Sequence, residues 1–395
     1  MEYAALEGWR GICACLVALF HFRDVLRVPV NSDVLSSSVI RHAYLFVDFF
    51  FVVSGFVIAS RYQDSISSGR TRVADFLKLR LGRLYPLHLF TLLLMMAIYT
   101  YVGSAPDAAI ALRVAPVDRR PWSYLVNIFM LQGLHTTPVP TWNHPSWSVS
   151  TEFATYVVYA LLWKTLKQWT WFATAFIIVA APIAIAVLVG HMDTTFEWGI
   201  LRSLLGFALG AAMFNVLRSP AAQAVAARVR RNPATAIEIA VLAVIVVFVA
   251  QPDHTMLTIA APFVFALGVL VFSGGYGAVS GLLGSRVFRH VGTISYSVYL
   301  LHQPLQELFM FCAVWCYTNL GWSWMLAVDP TTNGIQLGAS VPVGDALTAV
   351  MLIVLLVAST VTWRFVETPC RSWVRARVDR ARKDRLHQAR LTSNR

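Results

Sequence analysis

The sequence is poor in charge, and in acid above all. Of 395 residues 13% are charged, and 20 acidic side chains stand against 32 lysines and arginines, for a net charge of +12. A soluble domain carries about a quarter charged residues, so a fully solvated globular surface is excluded. Cysteine is also scarce. Cys13 and Cys15 would diverge around a helix, while Cys312 and Cys316 could share a face but fit small buried residues, so neither a disulfide framework nor a metal site is expected. No basic stretch precedes the first apolar run and no small-residue cleavage site follows it, so that run should remain as a helix. Long linkers, internal repeats and low-complexity blocks are missing too. One unit over residues 1–371, with a basic tail at 372–395, is the expected organisation.

What the chain has in place of charge is apolar length: 57% hydrophobic residues and a mean hydropathy of +0.62. Apolar runs at 8–26, 43–60, 84–102, 149–165, 170–190, 197–216, 237–250, 256–274, 294–316 and 345–365 suit helices crossing a hydrocarbon layer about 30 Å thick. The expected fold is an all-α, polytopic membrane helix bundle of about ten spans. An eleventh run, "WSYLVNIFMLQGL" at 122–134, is too short to cross. Leaving it out gathers the clusters at 61–83, 164–167, 218–231 and 286–289 on the side of the basic tail, and leaves 317–344, which has no Lys or Arg, opposite. The positive-inside rule then puts both termini in the cytoplasm. The 122–134 stretch becomes a re-entrant or interfacial element, permitted where protein or a watery cavity covers its backbone. Because the basic residues lie between apolar runs, they mark topology and not a nucleic-acid surface.

Ionisable groups within the bilayer are costly and call for a partner, a cavity or a function. "LEGWRGICACLVALFHF" at 6–22 holds two, Arg10 and His21, eleven residues apart. That spacing is about three turns and about 16 Å of helix, so both side chains fall on a similar face. Arg10 at the inner end either snorkels to headgroups or presents its planar fork to phosphate. In "KLRLGRLYPLH", Arg80 and Arg83 share a helical face, and with the adjacent Tyr85 they could complete a cationic mouth with Arg10. "HPSWSVSTEF" at 144–153 brings Trp147, Ser148, Ser150 and Glu152. Here the serines and Glu152 read either as helix caps or, for Glu152, as the partner of a histidine. "SYSVYLLHQPL" supplies Tyr296, Tyr299 and His302, Asp48 is a lone acid among aromatics, and Glu367 ends the last span where Pro369 should stop the helix. Trp122, Trp142 and Trp147 could stack on sugar rings or form an interfacial belt.

Together, "LEGWRGICACLVALFHF", "FVDFFFVVSGFVI", "RLGRLYPLH", "PSWSVSTEF", "GTISYSVYLLHQPL" and "VETPCRSW" resemble the acyltransferase family 3 membrane proteins, in family order from residue 6 to 373. Members O-acylate polysaccharides, lipid-linked sugars and some natural products. The resemblance implies an essential pair at Arg10 and His21, a basic motif at Arg80 and Arg83, and the Ser-x-Glu acid at Glu152. It also implies an acyl-CoA donor, acetyl most often, and a bacterial inner membrane. Glu7 stands where Asp is commoner, and His88 where a tyrosine often follows the proline.

These readings converge on acyl transfer to a hydroxyl of a carbohydrate or glycosylated small molecule. His21 would act as general base, oriented by Glu152, while Arg10, Arg80, Arg83 and Tyr85 hold the donor. Asp48, Trp147, Ser148, Ser150, Tyr296 and His302 would support the site. No metal is expected. The rival is an ion- or proton-coupled transporter using the same charges, against which the chain offers no inverted repeat.

Overall fold

A computed structural model of the chain describes residues 3–25, 28–104, 120–229, 233–251, 255–328 and 335–393. Each apolar run has become a helix. The bundle is built from α1 (Ala4–Phe22), α2 (Phe46–Ser67), α3 (Val73–Ser104), the short α4 (Pro121–Ile128), α5 (Trp147–Leu166), α6 (Thr170–Leu188) and α7 (Gly199–Leu217). It continues through α8 (Ala234–Val249), α9 (Ala261–Phe272), α10 (Arg286–Thr293), α11 (Ser295–Leu320), α12 (Val341–Thr362) and α13 (Thr368–Ser393). Six helical segments of the described chain are long and apolar enough to cross a membrane, one of them, His144–Leu188, holding both α5 and α6. Two small antiparallel ribbons, Asp24–Val25 with Val28–Pro29 and Leu326–Val328 with Ile335–Leu337, are linked at one end of the bundle by a bridge between Val30 and Leu337.

The distribution of polarity is that of a membrane protein. Large apolar side chains point outward, with Phe176 71%, Val187 78% and Ile353 61% exposed, while Asp48, Arg202, His302 and Glu307 are buried. In water that arrangement would expose a far larger apolar patch than a soluble monomer tolerates. The interior helices approach closely through small residues. A Cβ added at Gly55 would lie 2.2 Å from the Phe207 carbonyl oxygen, and one at Gly210 would lie 2.0 Å from that of Val52, so α2 and α7 touch backbone to backbone. Between membrane helices such contact replaces the hydrophobic driving force that lipid does not supply.

Basic clusters distant in sequence meet at one end. Arg289 on α10 lies 3.8 Å from Glu7 on α1, Arg218 pairs with Asp64 at 3.0 Å, and the 61–83 cluster faces α13 across a cavity.

Two sequence expectations need correction. Pro369 does not stop the last helix. The chain passes without a break through a π-helical turn, Trp363–Glu367, into α13, where Pro369 is the second residue. The expected boundary at 372 therefore falls inside a helix. Neither Ser148 nor Ser150 caps α5, which starts at Trp147 with Ser146 in the cap position. The 122–134 stretch forms α4 and an irregular turn with Met130 at φ 54° and His135 at φ 56°. Asn127 within it is buried. His88 Nε2 lies 2.8 Å from the Asn127 carbonyl, and Asn127 Nδ2 donates to Thr141 Oγ1 at 2.8 Å.

Candidate active site

Two cavities share a wall. The larger, about 1070 Å³, is a basin between the end of α2, the start of α3 and α13, with Arg61, Arg80, Arg83, Arg371, Arg375 and Arg382 among its lining. The smaller, about 80 Å³, runs into the bundle between α1, α2, α5 and α11. Val57 and Arg83 line both. Arg10, Ser54, Glu152, Tyr156, Tyr296 and Tyr299 face the smaller one. The helices supply these groups by simple periodicity: Glu152 and Tyr156 are four residues apart, as are Arg80 and Leu84, so each pair presents one face.

Within the inner cavity Ser54 Oγ donates to Glu152 Oε1 at 2.7 Å. The Tyr156 hydroxyl donates to the same oxygen and lies 2.7 Å from Ser54 Oγ. Arg10 lies within electrostatic reach of both Glu152 and Arg83. Tyr296 donates to the Leu84 carbonyl at 2.6 Å, fixing α11 against α3. Arg80 stays at the cavity rim, its guanidinium 5.2 Å from the Tyr62 ring centre.

Farther along α1 and α11 stand three histidines. His21 stacks on His302 with ring centres 4.9 Å apart, and its ring meets that of His144 edge-on at 6.4 Å. His302 is fully buried, with its ring near the backbone of Tyr299 and Val298 in the preceding turn of α11. The cluster is held from behind. The His144 backbone N–H donates to Gln303 Oε1 at 2.9 Å, Asn143 Nδ2 to the Leu300 carbonyl at 2.9 Å, and Gln306 Nε2 to the Ala18 carbonyl at 2.8 Å. Tyr299 stands between the cavity and the cluster, its hydroxyl 2.8 Å from Ser148 Oγ and its ring 5.8 Å from that of His302. Arg10 thus faces α5 and α11 at the level of the inner cavity, and His21 faces α11 and the turn before α5 at another level.

The expected pairing of Glu152 with His21 is not formed. On this side of the bundle His21 meets His144, eight residues before Glu152, which is about 12 Å along a helix, besides stacking on His302. Tyr85 does not line the basin. It faces an apolar groove with Trp373 and Val374, on the opposite sides of α3 and α13. Asp48 belongs to a structural ion pair: Arg202 Nη2 reaches its Oδ2 at 2.7 Å, and the two side chains are 1% and 0% exposed. Trp147 packs with its ring centre 5.2 Å from the Arg202 guanidinium, and Trp142 is buried with its indole N–H on Ser123 at 2.9 Å, so neither offers a face to a sugar. Ser150 donates to the Met130 carbonyl at 2.6 Å and accepts from the Gly133 N–H at 3.2 Å, anchoring the turn after α4.

Sequence reasoning missed Arg202, Ser54, Tyr156 and His144. Arg202 and Tyr156 were within reach: one is the charge inside the apolar run that Asp48 required, the other lies one turn beyond Glu152. Ser54 and His144 carry no local signal.

An all-α polytopic bundle with buried arginines, a carboxylate and clustered imidazoles along one interior path defines a membrane protein built around intramembrane chemistry. The profile of an acyltransferase domain, that of acyltransferase family 3, matches residues 3–365, and the chain belongs to that family. It is 27% identical to the acyltransferase MdmB of Streptomyces mycarofaciens, over 82% of this chain and 80% of that protein. It is 31% identical to protein 2 in the picA locus of Rhizobium radiobacter, over 42% of this chain and 86% of that protein. No solved structure matches. The protein is a multi-pass membrane acyltransferase.

Proposed function

We propose that the protein moves an acyl group, acetyl in the first instance, from acyl-CoA to a hydroxyl of a carbohydrate or glycosylated small molecule. The observation that carries this reading is the shared wall at Arg83. It joins an arginine-lined basin to an inner cavity walled by Arg10 and Tyr299, and the Tyr299 ring packs in turn against His302, which stacks on His21. A CoA thioester has the matching polarity, with phosphates at one end, a long neutral arm, and the reactive carbonyl at the other. Arg10, Arg80 and Arg83 hold the phosphates and the head of the arm with charge-assisted hydrogen bonds. The arginine-rich end faces the cytoplasm of the cell, in its inner membrane, and both termini lie there.

In the reaction His21 takes the proton of the acceptor hydroxyl. The alkoxide attacks the thioester carbonyl, and the C–S bond breaks to leave the CoA thiolate, which recovers a proton. His302, packed on His21, sets its ring orientation. Direct transfer is preferred to an acyl-histidine. Glu152 does not act on His21. It balances Arg10 and Arg83.

The test is a thermal-shift titration of the purified protein with CoA and acetyl-CoA, followed by transfer of radiolabelled acetyl to extracted cell-surface glycans and secreted glycosides. Stabilisation by ligand follows mass action, and transfer should fall at least a hundredfold in His21→Ala while the CoA shift persists. Absence of any shift, with substrate uptake by proteoliposomes instead, would overturn the reading.

A further inference from the structure

The basic C-terminal segment could simply be charge that orients the chain in the membrane. Its geometry says more. A topological signal requires positive charge on one side of the membrane but not its convergence on one cavity. On α13, Arg371, Arg375, Arg382 and Arg385 all line the basin, at steps of four, seven and three residues that keep them on one helical face. Arg377 points elsewhere, its guanidinium 4.3 Å from the Trp373 ring centre.

The helix is also fixed at two places. Arg385 Nη2 reaches Asp75 Oδ2 on α3 at 2.5 Å. One face of α13 beds on α3 at Gly82, where an added Cβ would come within 2.7 Å of Val374. Thus α13 is a wall and not a frayed tail.

That wall completes a strongly cationic chamber. Nine arginines line the basin (Arg61, Arg70, Arg72, Arg80 and Arg83 besides the four on α13) against two acids, Asp75 and Asp379. Asp75 is engaged by Arg385 and Asp379 lies 3.9 Å from Arg375. So many like charges around one cavity call for a polyanion, and guanidinium forks match phosphate oxygens two at a time. A chamber of about 1070 Å³ is at the upper end of small-molecule sites and has room for a nucleotide. Single-phosphate lipid headgroups share the chemistry but leave most of the arginines unmatched.

We infer that α13 forms one wall of the site for the 3′-phosphorylated ADP end of the donor, with Arg371, Arg375 and Arg382 as phosphate ligands. The inference rests on the CoA reading above, and its test uses a probe that separates the two. The protein is reconstituted in nanodiscs, and the Kd values of CoA and of 3′,5′-ADP, which carries the 3′-phosphate and the first 5′-phosphate without the thiol arm, are measured. Arg382→Gln should weaken both about tenfold, and the Arg371→Gln, Arg375→Gln, Arg382→Gln triple variant by about a thousandfold if the losses are independent, since each charge-assisted contact is worth about tenfold. Arg380→Gln with Lys383→Gln, neither of which lines the basin, should change neither Kd. Arg382→Lys should fall between Arg382→Gln and the unsubstituted protein, because it keeps the charge and loses the fork. Unfolding temperatures equal to that of the unsubstituted protein establish that the variants fold; should the triple variant misfold, the single variants carry the test.

If the unsubstituted protein binds CoA but not 3′,5′-ADP, or if the variants leave both Kd values unchanged, the assignment of α13 falls while the donor reading stands. If it binds neither probe, both fall. The measurements are repeated in phosphatidylcholine and in phosphatidylglycerol discs. Losses equal in the two lipids support the nucleotide site, and losses confined to the anionic lipid assign the basin to headgroups and overturn the inference.

Discussion

The imidazoles of His21 and His302 stack face to face, with ring centres 4.9 Å apart and planes inclined by 25°. They come from opposite ends of the chain, on α1 and α11. Residues in contact that serve one step give non-additive losses on substitution. We expect His21→Ala to lower the rate of acyl transfer by 10²- to 10⁴-fold, the usual worth of a general base. His302→Ala should lower it less, and the double variant should be no worse than His21→Ala alone. Rates measured under saturating donor would show this; multiplicative losses would mean that the two rings act separately.

Glu152 sits between Arg10 and Arg83, hydrogen-bonded by Ser54 and Tyr156. Removing its charge takes away one of the carboxylates, beside Glu7 and Glu367, that offset these arginines. Glu152→Gln should therefore lower the unfolding temperature, by a free energy of about 1–3 kcal/mol, and CoA should restore more stability to it than to the unsubstituted protein. Unchanged stability with a collapse of the catalytic rate would instead put Glu152 in the chemistry.

The ion pair of Asp48 and Arg202 is almost fully buried, and Arg202 also donates to the Thr194 carbonyl at 2.9 Å and the Tyr44 carbonyl at 3.3 Å. Breaking a buried pair strands a charge and costs about 3–5 kcal/mol, whereas replacing both partners by apolar residues can be near neutral. Arg202→Met should lower the unfolding temperature sharply in detergent, and Asp48→Leu with Arg202→Met should recover much of the loss. An Arg202→Met protein as stable as the original would show that the pair does not hold α2 to α7.

The crossing of α2 and α7 has no space for a side chain at Gly210, where an added Cβ would lie 2.0 Å from the Val52 carbonyl oxygen. Gly210→Leu should prevent the pair from closing, leaving aggregated protein in size-exclusion chromatography. Gly281→Ala is the control, since its Cβ would meet nothing within 4 Å. Monodisperse Gly210→Leu protein would argue against backbone contact at this crossing.

Much of the architecture was readable because membrane helices announce themselves by length and hydropathy. A short charged vocabulary then stands out against the apolar background. Arg10, Glu152, His21 and His302 were all identifiable as groups that lipid would not accept. The need of Asp48 for a partner was readable as well, though not the partner's identity, because α2 and α7 are separated by more than a hundred residues of chain. The cap reading of Ser148 and Ser150 failed because helix ends depend on backbone geometry that spacing does not specify.

By itself, then, the sequence determined the class of fold, the helices, and the face that Arg10 and His21 share, since hydropathy and the 3.6-residue period are local properties. Only the tertiary structure decided which charges meet. It gave Glu152 to Ser54 and Tyr156, Asp48 to Arg202, His21 to His302 and His144, and turned the basic C-terminus into the wall of a cavity. Those pairings follow from how the helices pack, through glycine-lined crossings and buried hydrogen bonds between residues far apart in the chain.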